Sequence, residues 1–306
     1  MSRALQSLSP ARPVAAGAAR RRAILAILGA AILFAAAAAC VKALDGAVPL
    51  VQLVLFRSLF ALPVLLPLLH RAGGWPALRT SNPTGHIWRM IFGLIGMATA
   101  FYGYATMPLA AVTALGFTMP LFLTLLAVPL LGEHVGWRRG LAVLVGFGGV
   151  LLMVRPWAEG DIPLGPSLAV LAGALCWALA MITIRRMGEA GESGVSIVLW
   201  FAIGSSLVAA LASIPVWIWP TPLQWGLLLG IGMISALAQL LMTEAYRAGE
   251  PTLVAPFEYS GIVWTTLLGA LIWSEAPDRW DGVGALILVA SGLYIWYRET
   301  QLGLKR

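Results

Sequence analysis

The stretch that decides the fold is YRAGEPTLVAPFEYSGIVWTTLLGALIWSE, Tyr246 to Glu275. It is apolar enough to enter a bilayer, is interrupted by Pro256 and Gly261, and carries an acid, Glu258. Laid without gaps over Tyr104 to Glu133, YATMPLAAVTALGFTMPLFLTLLAVPLLGE, it finds an earlier copy of itself. Tyr104 falls on Tyr246, Val112 on Val254, Thr124, Leu125 and Leu126 on Thr266, Leu267 and Leu268, and Glu133 on Glu275. Gly116 and Pro120 interrupt the first copy as Pro256 and Gly261 interrupt the second. Paired interruptions of apolar helices in two halves of a chain are the best sequence pointer to a binding site between repeats.

Composition places this pair in a membrane. Of 306 residues, 60% are hydrophobic and 11% charged, against about 25% charged in a soluble domain. The net charge of +7 does not point to nucleic acid, because the arginines are scattered between apolar runs rather than gathered on one face. Cys40 and Cys176 both lie inside apolar stretches, which excludes a disulfide framework and makes them small packing residues. Arg20, Arg21 and Arg22 before an apolar run ending at Cys40 imitate a cleavable signal. That run is about 20 residues long, enough to span, and is read as the first retained helix.

Apolar runs of spanning length predict helices near 23–43, 49–69, 87–106, 109–131 and 140–155, then 164–184, 195–218, 225–245, 252–273 and 282–297. The expected fold is an all-α polytopic membrane protein with ten transmembrane helices in two five-helix repeats. Residues 1–21 are expected as a disordered cytoplasmic tail, 22–156 as the first repeat, 157–163 as a linker, 164–299 as the second repeat and 300–306 as a second tail. Positively charged loops resist translocation. With the N-terminus inside, Arg3, Arg12, Arg20, Arg21, Arg22, Arg71, Arg79, Arg89, Arg138, Arg139, Arg185, Arg186, Arg247, Arg298, Lys305 and Arg306 fall on the cytoplasmic side. Only Lys42, Arg57, Arg155 and Arg279 lie elsewhere, and the outer loops carry Asp45, Glu159, Asp161, Asp278 and Asp281. Both termini are then cytoplasmic. Five helices per repeat also means that the halves enter from opposite sides, so the repeats are inverted.

Several residues stand out against this background. Glu258 lies about 9 Å into its span by helical rise, where a carboxylate is costly unless it faces a cavity or a partner. At the helical period it shares a face with Tyr259, Gly261, Ile262, Thr265 and Thr266, while Phe257, Ser260, Val263 and Trp264 face away. Arg57 is the other charge at depth and either binds carbonyls and a carboxylate to hold helices, or contacts a solute or Glu258. Lys42, near an outer helix end, either snorkels to the headgroups or joins the site. Helical spacing adds Thr113 with Phe117, Gln239 with Thr243, and Thr99 with Tyr102; Phe117 is the repeat mate of Tyr259. Trp177 lies deep in its span, away from the interfacial belt. Together they describe a pocket with aromatic walls, hydroxyls, an amide and one acid, suited to a small organic molecule with a planar or cationic portion. Glu133 and Glu275 end their helices and are read as capping or ion-pairing groups, with Arg138, Arg139 and Arg279 as partners. Glycine pairs such as Gly93 with Gly96 and Gly146 with Gly149 are read as close helix contacts, and Pro63, Pro67 and Pro215 as kinks.

The motifs FRSLF (56–60), YATMPLAAVTALGFTMPLF (104–122), LLGEHVGWRRGLAVLVGFGGVLLMVRP (130–156), TEAYRAGEPTLVAPFEYSGIVW (243–264) and ASGLYIWYRE (290–299) resemble the EamA-like branch of the drug/metabolite transporter superfamily. The resemblance runs from Arg22 to Glu299. It implies ten helices in two inverted repeats around a central cavity, and secondary transport of small metabolites, often export of amino acids or related compounds. Similar proteins include exporters of metal-chelating metabolites and importers of riboflavin or S-adenosylmethionine.

The expected function is therefore a secondary active transporter of a small metabolite in the bacterial inner membrane, an exporter of an amino acid or related compound, or alternatively an importer of a vitamin or nucleoside-like metabolite. Its expected partners are that solute, protons as the candidate coupling ion, and the lipid bilayer, with the chain as a monomer or homodimer. No cofactor, metal or nucleic acid is expected. A lipid flippase or passive channel is a further alternative. A membrane-embedded enzyme is the rival from another class, but His70, His86 and His134 fall in expected cytoplasmic loops and no HExxH, acid pair or Ser–His grouping exists. No phosphate-loop motif supports primary transport.

Overall fold

A computed structural model describes residues 13–131, 137–155, 163–248 and 257–303. Those residues are helical, with short connections. The helices are α1 (Pro13–Ala43), α2 (Leu50–Leu59), α3 (Leu62–Arg71), α4 (Pro83–Thr106), α5 (Leu109–Gly116), α6 (Met119–Leu131) and α7 (Trp137–Val154) in the first half. The second half supplies α8 (Leu164–Glu189), α9 (Gly194–Ser213), α10 (Pro222–Ala248), α11 (Ser260–Trp273) and α12 (Arg279–Gly303). Seven helical stretches are long and apolar enough to cross a membrane, and Gly140–Val154 and Ser260–Trp273 are shorter apolar helices. Many large apolar side chains face outward, among them Leu144 (70% exposed), Leu271 (80%) and Leu286 (69%), as suits a surface solvated by lipid.

Helix ends follow local chemistry. The first helix starts at Pro13; proline suits the first helical turn and the alanines that follow are strong helix formers. Helix α4 starts at Pro83, because the Asn82 side chain accepts from Gly85 N at 3.0 Å and caps it. That is earlier than the 87 expected from hydropathy, and it moves His86 from a loop into a helix. His70 is likewise in the last turn of α3. Proline accounts for the breaks: a ring at position i clashes with the carbonyl at i−4. Pro63 thus separates α3 from α2 at Leu59, and Pro120 separates α6 from α5 at Gly116. At this break the Leu115 carbonyl accepts from both Thr118 N at 3.0 Å and Thr118 Oγ1 at 2.7 Å.

Packing joins one half of the chain to the other. Among the described residues, with α2 and α3 taken as one bent rod and α5 and α6 as another, the larger contacts between the halves survive exchange of the halves. Helix α1 lies on α10 as α8 lies on α4, α1 on α11 as α8 lies on α5 and α6, and α2 on α10 as α9 lies on α4. The contacts α2–α9, α5–α11 and α7–α12 are their own images. The crossing of α7 and α12 is the tightest of these. A Cβ on Gly284 would lie 2.5 Å from the Gly149 carbonyl oxygen, and one on Gly149 would lie 2.7 Å from that of Gly284. Small residues at such crossings let backbones approach in lipid, where van der Waals contact replaces the hydrophobic effect. Gly146 and Gly149 therefore both pack against α12 as expected, Gly146 at Ser291 and Gly149 at Gly284.

Substituting Gly284→Ala places a methyl against backbone that has no flexible side chain to yield, and is expected to destabilise by about 1–3 kcal/mol. Gly282→Ala, where a Cβ meets nothing within 4 Å, is expected to be neutral or mildly stabilising. Melting temperature in detergent, followed by size-exclusion fluorescence, separates the two; equal melting temperatures would contradict the tight crossing.

Candidate functional site

The two halves meet where their corresponding helices break. Phe117 ends α5 and Tyr259 precedes α11, and the two rings form an edge-to-face pair with centroids 4.8 Å apart and planes at 61°. Such a pair contributes about 0.5–1.5 kcal/mol beyond its buried area. Gly261 lies beneath it, since a Cβ there would be 3.7 Å from Phe117 and 3.8 Å from Thr113. Thr113 donates to its own helix at Leu109 O, 3.0 Å away, and shares a hydrogen bond with Tyr104. The Tyr259 hydroxyl is packed against Gly292 of α12 so closely that no Cβ would fit. Glu258 is half-buried beside Tyr259 and within its electrostatic reach. Four candidates named from sequence, Thr113, Phe117, Glu258 and Tyr259, are thus brought to one place.

Other candidates lie apart from this pair or are already engaged. Thr265 is 2% exposed and donates to Gly261 O at 2.9 Å within its own helix. Gln239 is half-buried on α10 and makes a contact of its own. The side chain of Thr243 lies outside the described residues. Tyr102 is 40% exposed. Thr99 donates to Ile95 O at 2.9 Å and is packed on Gly173 in the α4–α8 contact.

The end of the molecule holding the α1–α2 loop is tied by ion pairs. Lys42 Nζ lies 2.7 Å from Glu275 Oε1, donates to Met107 O at 2.8 Å, and sits 5.7 Å from the centroid of Trp273. One ammonium thus links α1, the α4–α5 turn and the end of α11. Glu275 is therefore paired with Lys42 and not with Arg279, whose guanidinium instead lies 5.3 Å from the Trp280 ring. Arg138 similarly lies over Trp137; Glu133 and the side chain of Arg139 lie outside the described residues. Arg155 pairs with Asp278 at 2.7 Å and approaches Asp281 at 3.6 Å. Asp278 Oδ1 also accepts from Trp280 N and Asp281 N, both at 2.8 Å, capping α12. Burial works to raise the pKa of Asp278, but the Asp281 amide and Arg155 outweigh it and hold the carboxyl below its usual range. Gln52 closes a two-way hydrogen bond with Ile218, donating at 2.7 Å and accepting at 3.2 Å.

At the opposite end, Glu192 joins two loops. Its carboxylate, 3% exposed, accepts from Thr80 Oγ1 at 2.6 Å, Ser81 N at 2.9 Å and Asn82 N at 3.1 Å, and lies 3.4 Å from His86 Nε2. His86 is accordingly a buried part of a helix-capping cluster. Burial alone would raise the Glu192 pKa; the hydrogen bonds from Thr80, Ser81, His86 and Asn82 together prevail and depress it.

Two further cations are Arg57, which is half-buried, and Arg89, which is buried. Arg57 is in the last turn of α2, where the negative end of the helix favours positive charge. It makes no ion pair among the described residues, Glu258 included. Its electrostatic neighbour is Arg89, which the sequence reading places on the cytoplasmic side at the start of the 87–106 span. Arg89 is 6% exposed and folded over Gly93, and its guanidinium lies 4.2 Å from the Phe201 centroid and 5.7 Å from that of Trp177. Its Nε and Nη1 are buried without hydrogen-bond partners. A desolvated ring face offers a cation up to about 2 kcal/mol, whereas enclosing an unpaired ion costs several kcal/mol. The rings do not neutralise this site. No group of three or more metal-ligating side chains occurs among the described residues.

This arrangement, apolar helices in two matched halves with polar groups where they break, defines a membrane transporter architecture. The comparisons make it specific. A model of the EamA-like transporter family matches twice, over residues 21–155 and 165–297, and the chain belongs to that family. It is 31% identical over 255 residues to an S-adenosylmethionine uptake transporter of Rickettsia bellii, covering 83% of this chain and 86% of the relative. It is 32% identical over 251 residues to a riboflavin transporter of Rhizobium johnstonii, covering 80% and 78%. It is 30% identical over 269 residues to the pseudopaline exporter CntI of Pseudomonas aeruginosa, covering 88% and 93%. A solved crystal structure shares the fold, with a TM-score of 0.63 and 22% identity over 92% of this chain and 97% of that one.

The Glu192 cluster gives a pH test. A carboxyl with a depressed folded-state pKa contributes stability that is full above its unfolded value, about 4.3, and is lost as pH falls through the folded value. Glu192→Gln is expected to lower the melting temperature at neutral pH and to flatten its fall in acid. An unchanged neutral melting temperature would contradict the cluster's role.

Proposed function

We propose that the chain is a secondary active transporter that moves a small organic metabolite, an amino acid or related compound, by alternating access between two inverted five-span repeats. In this reading ten spans cross the bacterial inner membrane with both termini cytoplasmic, and repeat and tail boundaries fall as the hydropathy predicts. The observation that carries it is the contact of Phe117 with Tyr259. Repeat mates at two helix breaks face each other, so a solute between them would meet unwound backbone, aromatic walls and the Glu258 carboxylate. Glu258 binds a cationic portion of the solute or carries the coupling proton.

The closures at the two ends support alternating access. With Gly29 laid on Gly173, Lys42 falls on Arg186, and Arg186 donates to Leu130 O near the end of α6, as Lys42 grips the end of α11. Each repeat thus places one cation at the end of the other repeat's fourth span. They are unequal: the Lys42 side chain is 11% exposed, while Arg186 is exposed. An enclosed outer link and a loose inner one fit a conformation closed to the outside.

The relatives named above include uptake and export proteins, so direction is a matter for measurement. The test is flux in proteoliposomes with and without a pH gradient, using an amino-acid panel together with S-adenosylmethionine and riboflavin. Saturable, counterflow-competent exchange is expected for at least one solute. Glu258→Gln is expected to reduce it by about tenfold or more, the scale of one lost charged contact. Full transport with unchanged pH dependence in that variant would remove Glu258 from the mechanism, and flux that never saturates would favour a channel.

A further inference from the structure

We propose that Gly292 of α12 is a positioning residue of the solute site: it forms the seat that holds the Tyr259 ring against Phe117, and so sets how tightly a solute is bound. This rests on the transport reading and adds to its site a residue that touches no solute itself. A Cβ built on Gly292 would lie 2.0 Å from the Tyr259 hydroxyl oxygen, 3.1 Å from Cζ and 3.9 Å from Cε1. The hydroxyl thus fills the space in which any other residue would place its first side-chain atom. The same ring meets Phe117 edge-to-face, with centroids 4.8 Å apart. A tyrosine ring is rigid and turns on two torsions only, so a seat at its tip fixes the whole ring, and binding walls work when packing locks their side chains to about 0.5 Å. A methyl on Gly292 would drive the hydroxyl about 1 Å or more before ordinary contact is restored, and the wall moves with it.

The two repeats differ at this point in a matched way. The alignment that lays Phe117 on Tyr259 also lays Gly140 on Gly282 and, carried on without a gap, Val150 on Gly292. Where the ring carries a hydroxyl, the fifth span has glycine. Where the ring is phenylalanine, the fifth span has valine, which is buried. The hydroxyl and the side chain replace one another, as they do when two groups compete for one volume in a close-packed interior. Space is uneven in the same sense, since a Cβ on Gly116, beside Phe117, would meet nothing within 4 Å. Tyr259 is therefore the fixed wall of the pair, and Gly292 is what fixes it.

The test is a double-variant cycle on the purified full chain, with Gly292→Ala, Tyr259→Phe and the two together. Tyr259→Phe removes the atom 2.0 Å from the added methyl and leaves Cζ at 3.1 Å, a contact that a small shift relieves. Counterflow in proteoliposomes, with the amino-acid panel, S-adenosylmethionine and riboflavin, reads the half-saturating concentration and the maximal rate. Melting temperature in nanodiscs reads the contact without any solute. Gly292→Ala is expected to raise the half-saturating concentration about tenfold for a solute that exchanges saturably, with the maximal rate changed less than about twofold. In the Tyr259→Phe background the same substitution is expected to raise it about twofold or less, and to lower the melting temperature less than it does in the wild-type chain. A packing defect elsewhere on α12 would not be rescued by losing that hydroxyl. If Gly292→Ala does not fold, recovery of folding in the double variant supports the seat, and failure of both overturns it. Wild-type half-saturation in Gly292→Ala, equal effects in both backgrounds, or a fall in maximal rate alone would each overturn the proposal while leaving transport intact. No saturable exchange of any solute would contradict the transport reading itself, and the melting cycle would then still decide whether the seat exists.

Discussion

The structure depends on one constraint: a backbone N–H or C=O at membrane depth must find a partner, because lipid offers none. A continuous helix meets this within itself. This chain breaks helices at Phe60–Ala61, at Phe117–Thr118 and at Tyr259, and each break must therefore be enclosed by protein or line a polar space. Thr118 returns its hydroxyl to Leu115, and the amide of Phe117 bonds to Thr113 and Ala114. What local bonds leave open is covered by the other half, and this is why the break at Phe117 sits on the break at Tyr259. The matched contacts between halves follow, since a broken rod packs best on the rod that carries the corresponding break.

Charge is distributed by the same logic. Where a counter-charge is available the chain places its pairs at the ends: Lys42 with Glu275, Arg155 with Asp278, and Glu192 among the Thr80–Asn82 amides and hydroxyls. These links close loops across helices and bias one conformation over another. In the interior the balance is deliberately incomplete. Arg89 is buried against Phe201 and Trp177 with two of its nitrogens unpartnered, and charge at membrane depth is a mark of function in membrane proteins.

Much of this was legible in the amino-acid sequence because its physics is local. Proline at 63 and 120 fixes where rods break, apolar length fixes where they run, and the duplicated stretch around Phe117 and Tyr259 shows which breaks correspond. What stayed hidden is set by tertiary contact or by caps. His86 reads as a loop residue by hydropathy, and only the Asn82–Pro83 cap, an N-P before a helix, moves it inside; that Arg89 of the same helix folds against Phe201 and Trp177 is a tertiary contact. Glu275 has arginines near it in sequence, yet its partner is Lys42, more than two hundred residues away in the chain. Thr265 lies on the same face as Glu258 by periodicity, but its hydroxyl is already satisfied by Gly261, which no spacing rule reveals. The pairing of Gly149 with Gly284 is a fact about two helices at once.

Sidedness of equivalent loops tests the central claim most directly. Asp45 follows the first helix of one half and Ala190 follows the first helix of the other. In a chain with Cys40 and Cys176 replaced, cysteines at 45 and 190 would be labelled with an impermeant thiol reagent in intact cells and in inverted vesicles. Inverted halves predict labelling of position 45 from outside only and of position 190 from the cytoplasmic side only. Labelling of both from the same side would contradict the account.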